Sequence, residues 1–326
     1  MKKTKVVVIV LGLVIGILGS IDGLCEVRIE LSERIKIPDY AEFPANPWSL
    51  CVTEDEVFIV PDYNEGTIKT FVKNNGTLER GAIIGQKGYK TGELGAPAYC
   101  FYEKDRLAVL DRELRKIFFY DRIGRVDFKR DPVKEIYCLR LGYDIQLSAE
   151  RLFISGYIED QNENPYDLYY INTKTDGTKF LLPFYEKYGI KPDDRQGEMD
   201  RKIAIGVKGW FDIQGENIYH IWEGDLRIIK LNINALLITQ VFGYKTVHYK
   251  QPRVTESLLE NSLKGSFEQV AKERDRFSYV KELVVNSKYI LVVYDEPPSK
   301  KNPGRKTWLQ AYNTADGTFK NEMPIP

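Results

Sequence analysis

Two histidines, His220 and His248, are all that this sequence offers to chemistry needing an imidazole. His220 sits inside the apolar run Tyr219-His220-Ile221-Trp222, where a packed ring is expected, and His248 has no second histidine near it in sequence. A histidine-rich zinc or copper centre is therefore not expected. The chain contains no GxSxG elbow, no HExxH helix and no P-loop. A Ca²⁺ site made of oxygens would need carboxylates from separate elements to converge. Asp144 and Asp212 are the two to watch, because each falls at or near an expected inner strand. Their ordinary role would be that of hydrogen-bonded polar groups. A second set, Tyr63, Arg112, Arg115, Tyr157, Tyr166, Trp222 and Arg305, carries the aromatic and guanidinium groups favoured as anchors at interfaces. The chemistry on offer is recognition more than bond-making, and no cofactor is expected.

Composition supports a folded chain without a nucleic-acid footprint. The 326 residues are 43% hydrophobic, enough for a sizeable core, and 47 basic side chains balance 47 acidic ones. The N-terminus reads as an address. Met1-Lys-Lys-Thr-Lys5 is a positive start, and Val6 to Ile21 is an uncharged run ended by Asp22. That run is short for a membrane span of roughly 20 residues and suits a secretory signal peptide. Cleavage after Cys25 would leave 26–326 as a single domain, secreted or periplasmic, with no membrane contact beyond the signal. An uncleaved anchor is the alternative. Of the cysteines, Cys51, Cys100 and Cys138 would remain, an odd number that cannot all pair within one chain. They read as thiols packed on strands like small apolar residues.

The elements that must position these residues are strands. Five segments align on a second strand, with anchors at Val57, Leu107, Leu152, Ile218 and Ile290. The first two intervals match the roughly 40–50 residues of a four-stranded blade, and the last two are longer, as if carrying insertions. The first two units agree in detail. Pro47 and Pro97 open an inner strand, Asp62 and Asp111 end the next, and Ile68-x-x-Phe71 and Ile117-x-x-Tyr120 follow before the turn glycines Gly76 and Gly124. Asp at a strand end starts a turn by accepting its own backbone N–H groups, and glycine supplies positive φ in tight hairpins. A glycine-spaced crossing, Gly85-x-x-Gly88-x-x-x-Gly92, links the two.

This pattern resembles the NHL-repeat family of six-bladed propellers, well over residues 44–126 and loosely over 143–326. The resemblance implies an all-β fold, a β-propeller of four-stranded antiparallel blades. Five units are recognisable, and a six-bladed ring is the family's expectation. Residues 27–37 and 318–325 both read as outer strands. Relatives of this architecture include lactonases with an axial Ca²⁺, so a Ca-dependent hydrolase is the alternative function. One stretch is not β: 255–277 places Leu259, Leu263, Phe267 and Val270 at helical spacing after Thr255 as N-cap.

Successive turns of an antiparallel blade alternate between its two ends. Turns after strands one and three read as short. The long segments 156–166 and 295–305 follow second strands, while 185–203 and 243–276 are crossings, so all four belong to one face. Insertions gathered on one face mark the binding face of a repeat protein. The expectation is a non-catalytic binding propeller that docks a protein or carbohydrate ligand there.

Overall fold

The computed structural model describes residues 47–138, 144–148, 150–159, 162, 165–183, 209–252, 257, 260–261, 264–299 and 304–325. The architecture is all-β and of the propeller class, with five four-stranded antiparallel sheets among the described residues, each made of strands consecutive in sequence. The first holds β1 (Cys51–Val52), β2 (Val57–Asp62), β3 (Thr67–Asn74) and β4 (Thr77–Ile84). The second holds β5 (Pro97–Glu103), β6 (Arg106–Asp111), β7 (Lys116–Asp121) and β8 (Lys134–Tyr137). The third is β9 (Asp144–Ser148), β10 (Arg151–Glu159), β11 (Pro165–Asn172) and β12 (Thr178–Pro183). The fourth is β13 (Gly209–Gln214), β14 (Asn217–Trp222), β15 (Ile228–Asn232) and β16 (Leu237–Phe242). The fifth is β17 (Tyr279–Val285), β18 (Tyr289–Glu296), β19 (Lys306–Asn313) and β20 (Phe319–Pro324). Five blades stand where the family resemblance suggests six. The fifth sheet is closed by β20, as 318–325 led one to expect, whereas 27–37 lies outside the described residues.

The sequence explains the strands. Second strands such as β2 (VFIVPD) are buried at every position, because both faces of the sheet are covered, and so they read as continuous apolar runs. Outer strands such as β16 (LITQVF) are largely exposed and mix polar with apolar residues. By its contacts the chain parts into two compact units within the third sheet. One unit runs to Phe153 and takes back Ile171–Gly177; the other holds Ile154–Tyr170 and everything from Thr178. In the first, Val57, Ile59 and Ile68 pack with Leu107, Val109, Phe118 and Tyr120 between the first two sheets. In the second, Tyr219, Ile221 and Ile228 pack with Val280, Ile290, Val292 and Trp308 between the last two.

Two expectations are corrected. The helix expected over 255–277 is divided: the described residues 257 and 260–261 are helical, and the chain is helical again in α1 (Phe267–Arg274), which begins after Ser266. Gly265 breaks the pattern with φ +69°, a left-handed conformation that no helix continues. Thr255, Leu259 and Leu263 lie outside the described residues. The segment 156–166 is mostly strand, because β10 runs to Glu159 and β11 begins at Pro165, so the insertion lengthens a hairpin instead of forming a loop. After β7 the chain turns at Ile123–Asp127, around the Gly124 expected to turn it, with Ile123 N–H donating to Asp127 O at 2.9 Å. The returning strand then breaks before β8. Pro132 lies in that gap and has no N–H to give the ladder. Segment 185–203 lies outside the described residues.

Candidate functional site

In the first unit the turns after second strands are built on buried aspartates, as their spacing implied. Asp111 at the end of β6 is fully buried and accepts four backbone N–H groups: Gly95 (2.8 Å), Ala96 (3.0 Å), Glu113 (3.0 Å) and Leu114 (2.9 Å). Burial pushes its carboxyl up, against the pull of those donors. The same carboxylate thus shapes its own turn and holds the end of the glycine crossing. Asp62 does the equivalent for β2, accepting from Asn64 and Glu65 at 3.1 Å and pairing with the buried Lys69 at 2.8 Å.

These two turns carry Tyr63 and Arg112, and the structure brings both onto one indole. Tyr63 stacks on Trp48 with centroids 5.1 Å apart and planes at 9°, and the Arg112 guanidinium lies 4.7 Å from the Trp48 ring centroid. Buried Tyr99 meets the indole edge-on at 6.1 Å. Stacked aromatic and cation–π pairs are each worth about 0.5–1.5 kcal/mol, so the trio is pre-ordered, and all three side chains keep part of their surface in solvent. Tyr89 in the crossing is 72% exposed and its hydroxyl donates to Glu113, next to Arg112. Arg115 is exposed and holds φ +53°, a left-handed conformation that costs a side-chain-bearing residue about 1 kcal/mol.

The second unit places Trp222 and Arg305 near one turn, but not as free anchors. Trp222 is buried, with Gly224 lying against its ring so closely that a Cβ would stand 2.9 Å from it. The turn that follows keeps the strand-end aspartate, three residues late: Asp225 Oδ1 accepts from Arg227 N at 3.1 Å, and Oδ2 from Arg227 Nε at 2.6 Å. Buried Glu223 pairs with Arg274 of α1 at 3.0 Å, and that guanidinium lies 4.7 Å from the ring centroid of buried Tyr279. Arg305 donates to Phe277 O at 3.2 Å and to Asp275 at 2.8 Å, so it ties the start of β19 to the chain leaving α1. Burial pushes the Tyr249 hydroxyl well up, with Asp225 adding to the effect. Tyr166 stacks on Phe180 at 5.0 Å. The Tyr157 side chain lies outside the described part.

Asp212, on inner strand β13, accepts from Val285 N at 2.6 Å across to β17. That register brings Glu282 beside it. Glu282 keeps an exposed surface, yet the protein atoms packed round its carboxyl push it up to about 7, and Asp212 adds to it. Asp144 opens β9. Among the described residues no group of three or more His, Cys, Asp or Glu side chains could hold a metal ion. His220 is fully buried with Ser155 Oγ at 3.4 Å, the packed ring expected, and His248 stacks on Trp308 at 3.7 Å.

Sequence reasoning missed Trp48, Tyr89 and Glu282. Trp48 stands just after Pro47, ahead of the first anchored strand, and that position was the only available signal. No family model matches the chain, and no curated protein matches it. Among solved structures it is similar to a Bacteroides fragilis protein described as exported, 14% identical over 89% of this chain and 75% of that one, with a TM-score of 0.55. It is similar to hydrazine synthase of Kuenenia stuttgartiensis at 11% identity, over 88% of this chain and 69% of that one, with a TM-score of 0.49. Likeness at such identities speaks of fold alone. Among the described residues no helix is long and apolar enough to cross a membrane.

Proposed function

We propose that this protein is an extracytoplasmic, non-catalytic binding propeller of NHL type. In this reading it docks a protein or carbohydrate ligand on the face formed by the second-strand turns and the crossings. The observation that carries the reading is the Tyr63–Trp48–Arg112 stack, in which side chains from two blades are pre-ordered at the same end and remain open to solvent. Pre-ordered aromatic and arginine groups lose little freedom on binding, which is why such residues dominate interface energetics. Exposed Tyr89 extends the same end. The positive start and uncharged run of 1–21 support export, as does the description of the Bacteroides fragilis neighbour. The function needs no cofactor in this reading.

The test is a glycan array together with a displayed-peptide library, probed with the full chain. Hits are then titrated against Trp48→Ala, Tyr63→Ala and Arg112→Glu. Affinity falls at least about tenfold in each, corresponding to about 1.4 kcal/mol, while each variant still unfolds in one cooperative transition. Hits that keep their affinity in these variants and lose it in Asp105→Lys, at the opposite end of the second sheet, would overturn the reading. So would turnover of a lactone or ester after Ca²⁺ is added.

A further inference from the structure

The most specific chemistry outside that face is a pair of thiols on neighbouring inner strands. Cys51 lies on β1 and Cys100 on β5, and both pack against the core shared by the first two sheets. Ser49 fixes their relative placement: Cys100 N–H donates to Ser49 Oγ at 2.9 Å, and Ser49 Oγ–H donates to Ala98 O at 3.0 Å. The same hydroxyl lies 3.6 Å from Cys100 Sγ. Side chains two apart on an extended segment share a side, so Cys51 follows Ser49 toward β5. A second contact agrees. Cys100 Sγ lies 3.6 Å from Ile59 O, and Ile59 is the residue directly opposite Cys51 in the β1–β2 ladder. Cys100 lies near enough to Cys51 to help push its thiol up, behind the larger effect of burial.

We propose that Cys51 and Cys100 form a disulfide that joins the inner strands of the first two blades. The oxidant is a small-molecule disulfide such as oxidised glutathione. The thiolate of one cysteine attacks it, forming a mixed disulfide and releasing one thiol. The second cysteine's thiolate then attacks the protein sulfur of the mixed disulfide and releases the other thiol. Two protein thiols are oxidised to one S–S bond, one small disulfide is reduced to two thiols, and the two cysteine protons end on those thiols. Burial pushes the Cys51 thiol well up and keeps it protonated, so exchange belongs to folding, before the core closes. The bond would close a loop of about 50 residues, a length at which cross-links restrict the unfolded chain strongly. It needs an oxidising compartment, in keeping with export, and it is independent of what the second-strand turns bind.

The experiment refolds the full chain in a glutathione redox buffer, blocks remaining thiols and digests with trypsin without reduction. Cys25, Cys51, Cys100 and Cys138 fall in separate tryptic peptides, 6–28, 37–69, 91–104 and 135–140. The expected product is 37–69 linked to 91–104, about 2 Da lighter than the sum of the two. The oxidised protein melts several degrees above the reduced one. Cys138→Ser keeps both signals, and Cys51→Ala and Cys100→Ala lose both. Recovery of 37–69 and 91–104 only as blocked thiols or glutathione adducts would overturn the proposal. So would a link to 135–140 or between two copies of the chain, or a melting temperature indifferent to reductant. Because the readout is covalent, its failure leaves the ligand-binding reading standing, and failure of that reading leaves the cross-link standing.

Discussion

Asp111 shows how much one side chain holds in this protein. Its carboxylate serves four backbone N–H groups, two of them buried, at Gly95 and Ala96, and two part-buried, at Glu113 and Leu114. Asp111→Ala removes every one of those acceptors and is expected to cost about 3 kcal/mol or more in urea unfolding, whereas Asp111→Asn keeps one acceptor oxygen and costs less. Glu282 makes an opposite contribution. Its folded pKa, about 7, lies above the ordinary carboxylate value, so the folded state holds the proton more tightly than the unfolded chain. Stability from this group is fully present below the ordinary value and is lost as pH rises through 7. Because the side chain is exposed and solvent screens the effect, the melting temperature should fall only slightly between pH 5 and pH 8 on its account, and Glu282→Gln should remove that part of the slope. A variant that keeps the slope would assign it to other groups. Asp55, held down to about 2 by Arg122, titrates below this window and does not confuse it. The aspartates were legible in the sequence because their bonds are local. Glu282 was not, because its partner Asp212 lies on another strand and local sequence does not encode the register between β13 and β17.

At the scale of elements, the second-strand turns of the first two blades use one shape with different residues. Each places a positive φ four residues after its aspartate, at Gly66 (+63°) in one and Arg115 (+53°) in the other. Gly66 has no alternative, since a Cβ there would lie 2.8 Å from Leu94 O and from the Lys87 side chain. Gly66→Ala is expected to destabilise by more than about 1 kcal/mol, and Arg115→Gly to stabilise by up to about 1 kcal/mol, both read from denaturant midpoints. If Arg115→Gly instead lowers stability, the side chain is holding something that its exposure does not reveal. The strain at Arg115 also fits the proposed role, since strained side chains persist where they serve binding. Strand order and the Asp–turn pattern were readable here, while the break in the helix was not. Glycine at 265 signals a cost in helix propensity, but only the backbone shows that the chain turns left-handed there.

At the scale of the molecule, repetition makes the architecture readable from sequence, and its exceptions hide the site. Blade-to-blade agreement revealed the sheets because identical constraints recur. Trp48 lies inside the first unit, but the matching residue of the second unit is Ala98 and its partners Tyr99 and Arg112 are met only through folding, so no periodicity pointed to it. The central claim is that recognition happens where the second-strand turns and crossings gather. Amide hydrogen exchange, with and without a saturating hit from the glycan or peptide screen, tests it most directly. The account predicts slowed exchange at 63–66, 86–95 and 112–115, with 53–56 and 103–106 unchanged. Protection confined to 53–56 and 103–106 would contradict it.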